Sequence, residues 1–434
     1  MDTRERNLYM ATFGVVAAGL MLLRLRRKRQ ERRIRALQQR NRRLVALLAS
    51  RRSPTPEEAK SPRRSGGAGR GGGVAGGVGR RRRIWTRLRS DNFWQHVMSA
   101  DFDAQDWLHN FHLSRATFEH VCDLLRDHIG THDTAWRPAT PVEKKVAVYL
   151  WRLSNNCHYK ALSQLFGVGR SSACVILKEA IQALILHIMP RVIKPCENTP
   201  GFFEEVYGLP GCHGVICSTY IPVSPPSYVK AAYAVPGQDG LYACLLQVVV
   251  GRDGQITAAR AGQTPSRPGR LEDWAFVPEL TAAFEQDAAS SSAADSRDPG
   301  HFAYLVADST FPLRPEVLTP YDFAATKPQR TYNSALNGAI GYATQTVLKM
   351  KARSKCLVAK YEGDLSSVGD LALACCVLHN ICEAKGDRFD PRWAEGITAT
   401  DPASCHIPKV SDEMMSKARA KRDALAIKLA TRDV

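Results

Sequence analysis

The hydrophobic period of the chain changes near residue 212, and this change limits the fold more than any other feature. Before it, from Trp85 to Met189, apolar residues recur at three-to-four spacing in residues 93–98, 107–111, 115–129 and 141–153, which predicts helices. Ser114 and Thr140 stand where N-caps belong. After it come short β-rich runs: GVICSTYIPV at 214–223, YACLLQVVV at 242–250 and QITAARA at 255–261. Gly251-Arg252-Asp253-Gly254, between the last two, is a hairpin turn signal. Residues 271–284 read as a helix and 288–299 as a polar loop insertion. FAYLVA at 302–307 reads as a short buried strand ending at Asp308, and residues 333–352 and 370–384 as two more helices. The order β-β-β-α-β-α predicts a mixed α/β layer behind a mostly helical region.

The chain is 434 residues long, with 44% hydrophobic and 24% charged residues, which is ordinary for a globular protein of two or three domains. That excludes a wholly disordered chain, a multi-span membrane protein and a small disulfide scaffold. The net charge of +18 is unevenly placed. Residues 1–100 carry 25 Lys and Arg against 6 Asp and Glu; the remaining 334 carry 35 against 36. The body is therefore near neutral and bears a basic arm suited to nucleic acid or anionic lipid. The 12 cysteines contain no CxxC pair and no secretory signal peptide precedes them, so they read as buried reduced thiols.

Within the arm, the 16 residues from Leu8 to Leu23 carry no charge, and Arg24, Arg26, Arg27, Lys28 and Arg29 follow. A membrane span needs about 20 apolar residues. Two readings stay open: a single N-terminal anchor with the body in the cytosol, or an interfacial helix or targeting segment. Residues 26–49 predict a basic helix, with Ile34, Leu37, Leu44, Leu47 and Leu48 near one side. Residues 53–79, rich in Gly, Ser and Pro, cannot form a core and read as a flexible linker. Arg80, Arg81, Arg82 and Arg83 close it, as a polyanion contact or nuclear import signal or as a solvated charge run. The organisation predicted is an apolar segment plus basic helix at 1–52, a linker at 53–84, a helical region at 85–195, an α/β domain at 205–395 and a C-terminal tail with a helix at 396–434.

Residues 159–189, YKALSQLFGVGRSSACVILKEAIQALILHIM, predict a short helix, a Gly167-Val168-Gly169 turn and a helix opened by Ser171 and Ser172. This is helix-turn-helix spacing. A DNA-reading version would set Arg170, Ser171 and Ser172 at the start of the second helix, facing bases or phosphates. Many helical hairpins share the spacing without touching DNA.

Four segments in the body resemble the PIF/Harbinger transposases and their domesticated relatives. PGCHGVICSTYIP at 210–222 is similar to a first-strand motif with I-D-G-T-H-I-P. VADSTFPLRPEVLTPY at 306–321 is similar to a segment with G-D-S/A-x-Y-P-L followed by L-T-P-Y. YNSALNGAIGYATQTVLKMKARSKCL at 332–357 resembles a segment that runs from Y-N through a glutamate to K-x-R-x-x-C-L. ACCVLHNIC at 374–382 resembles the A-C-x-L-H-N signature. The resemblance covers roughly residues 85–390. It implies a ribonuclease-H-like mixed sheet with flanking helices, preceded by an all-α helix-turn-helix region. It also implies two divalent metal ions, Mg²⁺ or Mn²⁺, held by three carboxylates for phosphodiester hydrolysis.

The chain departs from that pattern where the chemistry would occur. Cys217 stands at the first-strand aspartate position and Thr344 at the helix glutamate position; only Asp308 keeps its carboxylate. A thiol is a soft ligand and a poor partner for Mg²⁺, which prefers hard oxygen. Tyr220 replaces the histidine of the first motif. Asp239, Asp253, Glu272, Asp273, Glu362 and Asp364 are the acids that could substitute. Asp273 is the foremost of them, because Glu272-Asp273 follows Arg270 where the family often has His-Asp; with Asp308 it forms a weak metal pair. Asp308 has a competing use as a cap for the turn after its strand, and His379-Asn380 a competing use as packed helix residues.

Three functions are therefore open. The first is a domesticated, catalytically inactive transposase-derived protein that binds DNA or a protein partner. By family resemblance the partner is a Myb-like DNA-binding protein. The second is a metal-dependent DNA endonuclease with an atypical site. The third is an N-terminally membrane-anchored interaction protein, held on an anionic membrane by residues 8–23 and the basic cluster. The expected location is nucleus and cytoplasm, or a membrane with the body cytosolic. The basic arm generates a test. Full-length protein should bind DNA or anionic vesicles with an affinity that falls steeply as salt rises, through counterion release. A variant lacking residues 24–90 should lose this binding; unchanged affinity would remove the arm from the account.

Overall fold

Why this chain folds around one strand is visible in the run CHGVICSTYIP. A computed structural model describes residues 90–133, 138–196, 198–265, 303–397 and 411–432. In it, that run forms strand β1, Cys212–Pro222, buried along nearly its whole length. β1 pairs antiparallel with β2 (Ala243–Val250), from Val215↔Val250 to Pro222↔Ala243. β2 pairs antiparallel with β3 (Ile256–Gln263) across the predicted hairpin turn. On its other side β1 pairs in parallel with β4 (Tyr304–Val306), and β4 with β5 (Val317–Leu318). The order is β3-β2-β1-β4-β5, a five-stranded mixed sheet.

The parallel pairing shifts by one residue between Cys212↔Tyr304 and Val215↔Val306. Gly214 lies in the shift, with φ +150, and a Cβ there would come within 2.8 Å of Val249 Cγ1. Only glycine fits this bulge. After it, Val215, Cys217 and Ile221 face one side, where they join Val306 in the main core. Ile216 faces the other side, in a smaller cluster with Val249, Leu305, Ala307 and Val317.

Two helices cover the main face. α8, Lys327–Arg353, presents Leu336, Ala339, Ala343, Val347 and Met350; α9, Val368–Ala384, presents Ala372, Cys375 and Cys376. Thr326 and Gln329 form a capping box that opens α8 six residues before the expected start at Asn333. Both helices grip the β2–β3 turn. The Tyr342 hydroxyl donates to Gly251 O at 3.1 Å and accepts from Gly254 N. His379 Nε2 bonds to Gly254 O at 3.0 Å. Asn380 accepts from Ile256 N at 2.8 Å and donates to Ile256 O at 2.7 Å, so its amide completes the hairpin as a strand would. A last helix, α10 (Asp412–Arg432), packs on α8; its Lys421 donates to Pro315 O at 2.9 Å.

The N-terminal part is helical: α1 (Asn92–Met98), α2 (Ala104–Phe111), α3 (Arg115–Ile129), α4 (Val142–Asn155), α5 (Tyr159–Leu165), α6 (Arg170–Ala183) and α7 (Thr199–Tyr207). Ser114 caps α3 as the pattern predicts, accepting from Thr117 N. Thr140 does not cap α4: Pro141 holds the N-cap position and offers no side-chain bond. α5 and α6 form the expected hairpin, with Gly167 at φ +64 in the turn, but Gly169 is the N-cap of α6, so Ser171 and Ser172 lie inside its first turn. α6 continues through a π turn, Leu184–Ile188, into Met189–Val192. Pro190 explains the widening, since it has no N–H for an α-type bond and its ring crowds the preceding turn. Helices and sheet share one continuous apolar core, from Val97 to Leu429.

Arg353, at the end of α8, ties the two parts. Its guanidinium donates to His112 O at 2.8 Å and Asp387 O at 2.7 Å and lies 3.6 Å from Glu383 Oε1. The segments at 1–84 lie outside the described residues, as do the helix predicted at 271–284 and the polar loop at 288–299. All 11 cysteines among the described residues are free thiols.

Two tests follow from the grip on the hairpin. Asn380→Ala leaves the paired groups of Ile256 without their partner, and should lower unfolding free energy by about 2–4 kcal/mol in denaturant titration. Burial lowers His379 and His112 from 6.5 to about 4. The unfolded chain then binds more protons than the folded one between those values. Stability should be level above about pH 6.5 and fall on acidification towards pH 4, by up to about 1.4 kcal/mol per pH unit for each ring. Thermal melts across this range should show the loss, and His379→Gln should reduce it by about half, leaving the share of His112.

Candidate functional site

The bulge at Gly214 sets which residues meet. Continuing the pairing Val215↔Val306 by two residues on each strand brings Asp308 level with Cys217. Across this pair lies the middle of α8. The Thr344 hydroxyl lies near enough to the Cys217 thiol to act on it, as do the charges of Asp308 and Lys351. One helical face carries Thr344 and, two turns later, Lys351; one strand face carries Cys217 and Thr219. The Lys351 ammonium donates to Thr219 Oγ1 at 2.6 Å. Cys217, Asp308 and Thr344 thus stand together.

Their chemistry is that of a packed interior more than of a metal centre. Cys217 is 3% exposed. Burial pushes its thiol up to about 12; the Asp308 carboxylate pushes the same way, while the Thr344 hydroxyl and the Lys351 charge oppose it. At neutral pH the sulfur is therefore a protonated, uncharged group. Asp308 is half-buried and engaged locally: its Oδ1 accepts from Thr310 N at 2.8 Å and from the Thr310 hydroxyl, closing the turn after β4. One carboxylate beside a thiol, a hydroxyl and an ammonium does not offer the hard, charged oxygens that two Mg²⁺ ions require, so these residues do not fit the metal pair that the resemblance implies. Among the described residues no group of three His, Cys, Asp or Glu could hold a metal ion.

The remaining sequence candidates fall elsewhere. Tyr220 turns to the opposite face, against Val235, Ala243 and Leu245. Asp253 pairs with Arg252 at 2.8 Å in the β2–β3 turn, and Asp364 caps a short 3₁₀ turn through Ser366 N. His379 and Asn380 hold the hairpin from inside the core. Arg170 and Ser171 are exposed and Ser172 half-buried at the start of α6, which packs against α3, α4 and α5 and so belongs to the helical part. Asp273, Glu272, Arg80, Arg81, Arg82, Arg83, Leu8 and Leu23 lie outside the described residues. Sequence reasoning missed Lys351 and Thr219 as members of the site. The signal for them was positional: Lys351 follows Thr344 by seven residues, and Thr219 follows Cys217 by two.

Comparison with known proteins agrees with this geometry. The family model described as DDE superfamily endonuclease matches residues 216–380, from the middle of β1 to Asn380 in α9. The Arabidopsis thaliana protein Antagonist of Like Heterochromatin Protein 1 is 26% identical over 321 residues, covering 68% of this chain and 78% of that protein. An ALP1-like protein of the same plant is 25% identical, over 67% of this chain and 74% of its own length. HARBI1 of Xenopus laevis, named as a candidate nuclease, is 23% identical over 66% of this chain and 80% of its own. No solved structure matches the chain. The motif order, the strand register that unites their positions and these relatives point the same way: residues 216–380 match the DDE superfamily endonuclease domain, and the chain as a whole is similar to the ALP1 and HARBI1 proteins.

Proposed function

We propose that this chain is a domesticated transposase-derived protein that retains a ribonuclease-H-like scaffold, has lost metal-dependent hydrolysis and acts by binding. The observation that carries the reading is what fills the site: two positions that the family fills with carboxylates hold the Cys217 thiol and the Thr344 hydroxyl, with Asp308 the one carboxylate beside them. The order β3-β2-β1-β4-β5, with β1 in its centre and β2 antiparallel to both of its neighbours, supports the scaffold. Binding to DNA is supported by the α5–turn–α6 hairpin with Arg170 and Ser171 exposed, and by the basic arm with Arg80–Arg83. One relative and the family resemblance bear on a protein partner. One carries in its name antagonism of a heterochromatin protein, which suggests a chromatin component here. The family resemblance suggests a Myb-like DNA-binding protein. The nucleus and cytoplasm suit both. Anchoring on an anionic membrane through residues 8–23, with the body cytosolic, is the second reading, and rests on that uncharged run and the arginines after it.

The decisive assay is cleavage of plasmid and hairpin DNA with Mg²⁺ or Mn²⁺, beside an Asp308→Ala control. No cleavage above the control is expected, because two missing charged ligands remove several kcal/mol of transition-state stabilisation and each 1.4 kcal/mol or so is tenfold in rate. Cleavage lost in the control would overturn the reading and point to another acid, Asp273 first, completing the site with Asp308. The double variant Cys217→Asp, Thr344→Glu should gain divalent-metal binding if the scaffold is intact.

A further inference from the structure

We infer that Arg353 and His379 hold a single buried water between them, in a small cavity behind the hairpin grip. Two independent observations meet there. The first is a space of about 20 Å³ lined by apolar groups such as Phe111, Leu150, Met350 and Leu378, and by the polar side chains of Ser154, Arg353 and His379. A water needs about 10–15 Å³ of such space, so one molecule fits. The second is a pair of buried polar atoms, Arg353 Nε and His379 Nδ1, that have no protein hydrogen-bond partner among the described residues. Both side chains line the cavity, and both are more than nine-tenths buried.

The chemistry of the two atoms selects the occupant. Gly254 O can only accept, so the bond at His379 Nε2 places the ring proton on that nitrogen and leaves Nδ1 as an acceptor. Arg353 Nε carries a hydrogen and can only donate. Its Nη groups are already committed to His112 O and Asp387 O. The occupant must therefore accept from one side and donate to the other. A cation would face the guanidinium, and an anion would face the lone pair of Nδ1; water satisfies both. Its second hydrogen has the Ser154 hydroxyl oxygen within the same lining. Left unpaired, each buried atom would carry a desolvation penalty that the water removes. The water completes a relay in which Arg353 donates to the water, the water to His379, and His379 to Gly254 O. It thus links the end of α8, and through His112 the helical part, to the turn between β2 and β3.

A high-resolution crystal structure of the protein tests this. One ordered peak within hydrogen-bonding distance of both Arg353 Nε and His379 Nδ1 is expected, and it should be absent from His379→Phe, which removes the acceptor and fills the space. An empty cavity in the wild-type crystal, or a direct contact between the two nitrogens, would overturn the inference. In solution, ¹⁵N-histidine spectra of the full chain, with His379→Gln for assignment, supply a second readout. Nδ1 should be unprotonated and displaced by an accepted hydrogen bond. A free-base resonance with no such displacement, or a protonated Nδ1, would also overturn it.

Discussion

Burying the guanidinium of Arg353 fixes how three parts of the chain meet. The last turn of α8, the end of α2 at His112 and the segment after α9 at Asp387 all converge on it. Taking a cation out of water is unfavourable unless its donors are used, and here the forked geometry of arginine reaches two carbonyls that point from different directions. Aromatic faces complete the enclosure: Phe389 and Trp393 each lie 5.8 Å from the guanidinium carbon, and Trp393 stacks on the His112 ring at 4.3 Å. Lysine, with one point charge, could not serve these partners together. The position of α8 over the sheet, and so of Thr344 over Cys217, depends on this anchor.

The contents of the site have their own energetic logic. Clustered carboxylates repel one another unless cations neutralise them, and a protein that keeps them without metal carries that repulsion in its core. A neutral thiol beside a hydroxyl carries none. Lys351 remains beside them, satisfied by Thr219. Sites shaped for chemistry are commonly unfavourable for folding, and their loss commonly releases stability. The interior around Cys217 carries one carboxylate, Asp308, against one ammonium, Lys351, and so needs no metal ion to balance its charge.

Much of the fold could be read along the chain because its signals are local. The switch of period at residue 212, the Gly251–Gly254 turn and the capping serine Ser114 each depend on neighbours a few residues away. β5 escaped because a strand of two residues has no period. The start of α8 escaped because its first turn, Lys327-Pro328-Gln329-Arg330, carries no apolar face and is announced only by Thr326. Thr140 was a plausible cap beside a proline that took the position. The three site positions were legible only through the resemblance of whole motifs to the family's. Lys351 with Thr219, 132 residues apart, and Arg353 with His112, 241 apart, were not, because nothing in either text names the other.

The bulge at Gly214 separates two kinds of information. A single inserted residue decides which side chain of β1 lies level with the end of β4; without it, residue 216 or 218 would take the place of Cys217, on the wrong side of the sheet. The address of the site is therefore written in backbone pairing, while its contents are written at Cys217, Asp308 and Thr344. An address kept by a glycine and a neighbouring strand outlasts the contents. The three positions can therefore change their side chains one at a time and still face the same space, because backbone pairing and not side-chain chemistry holds them there.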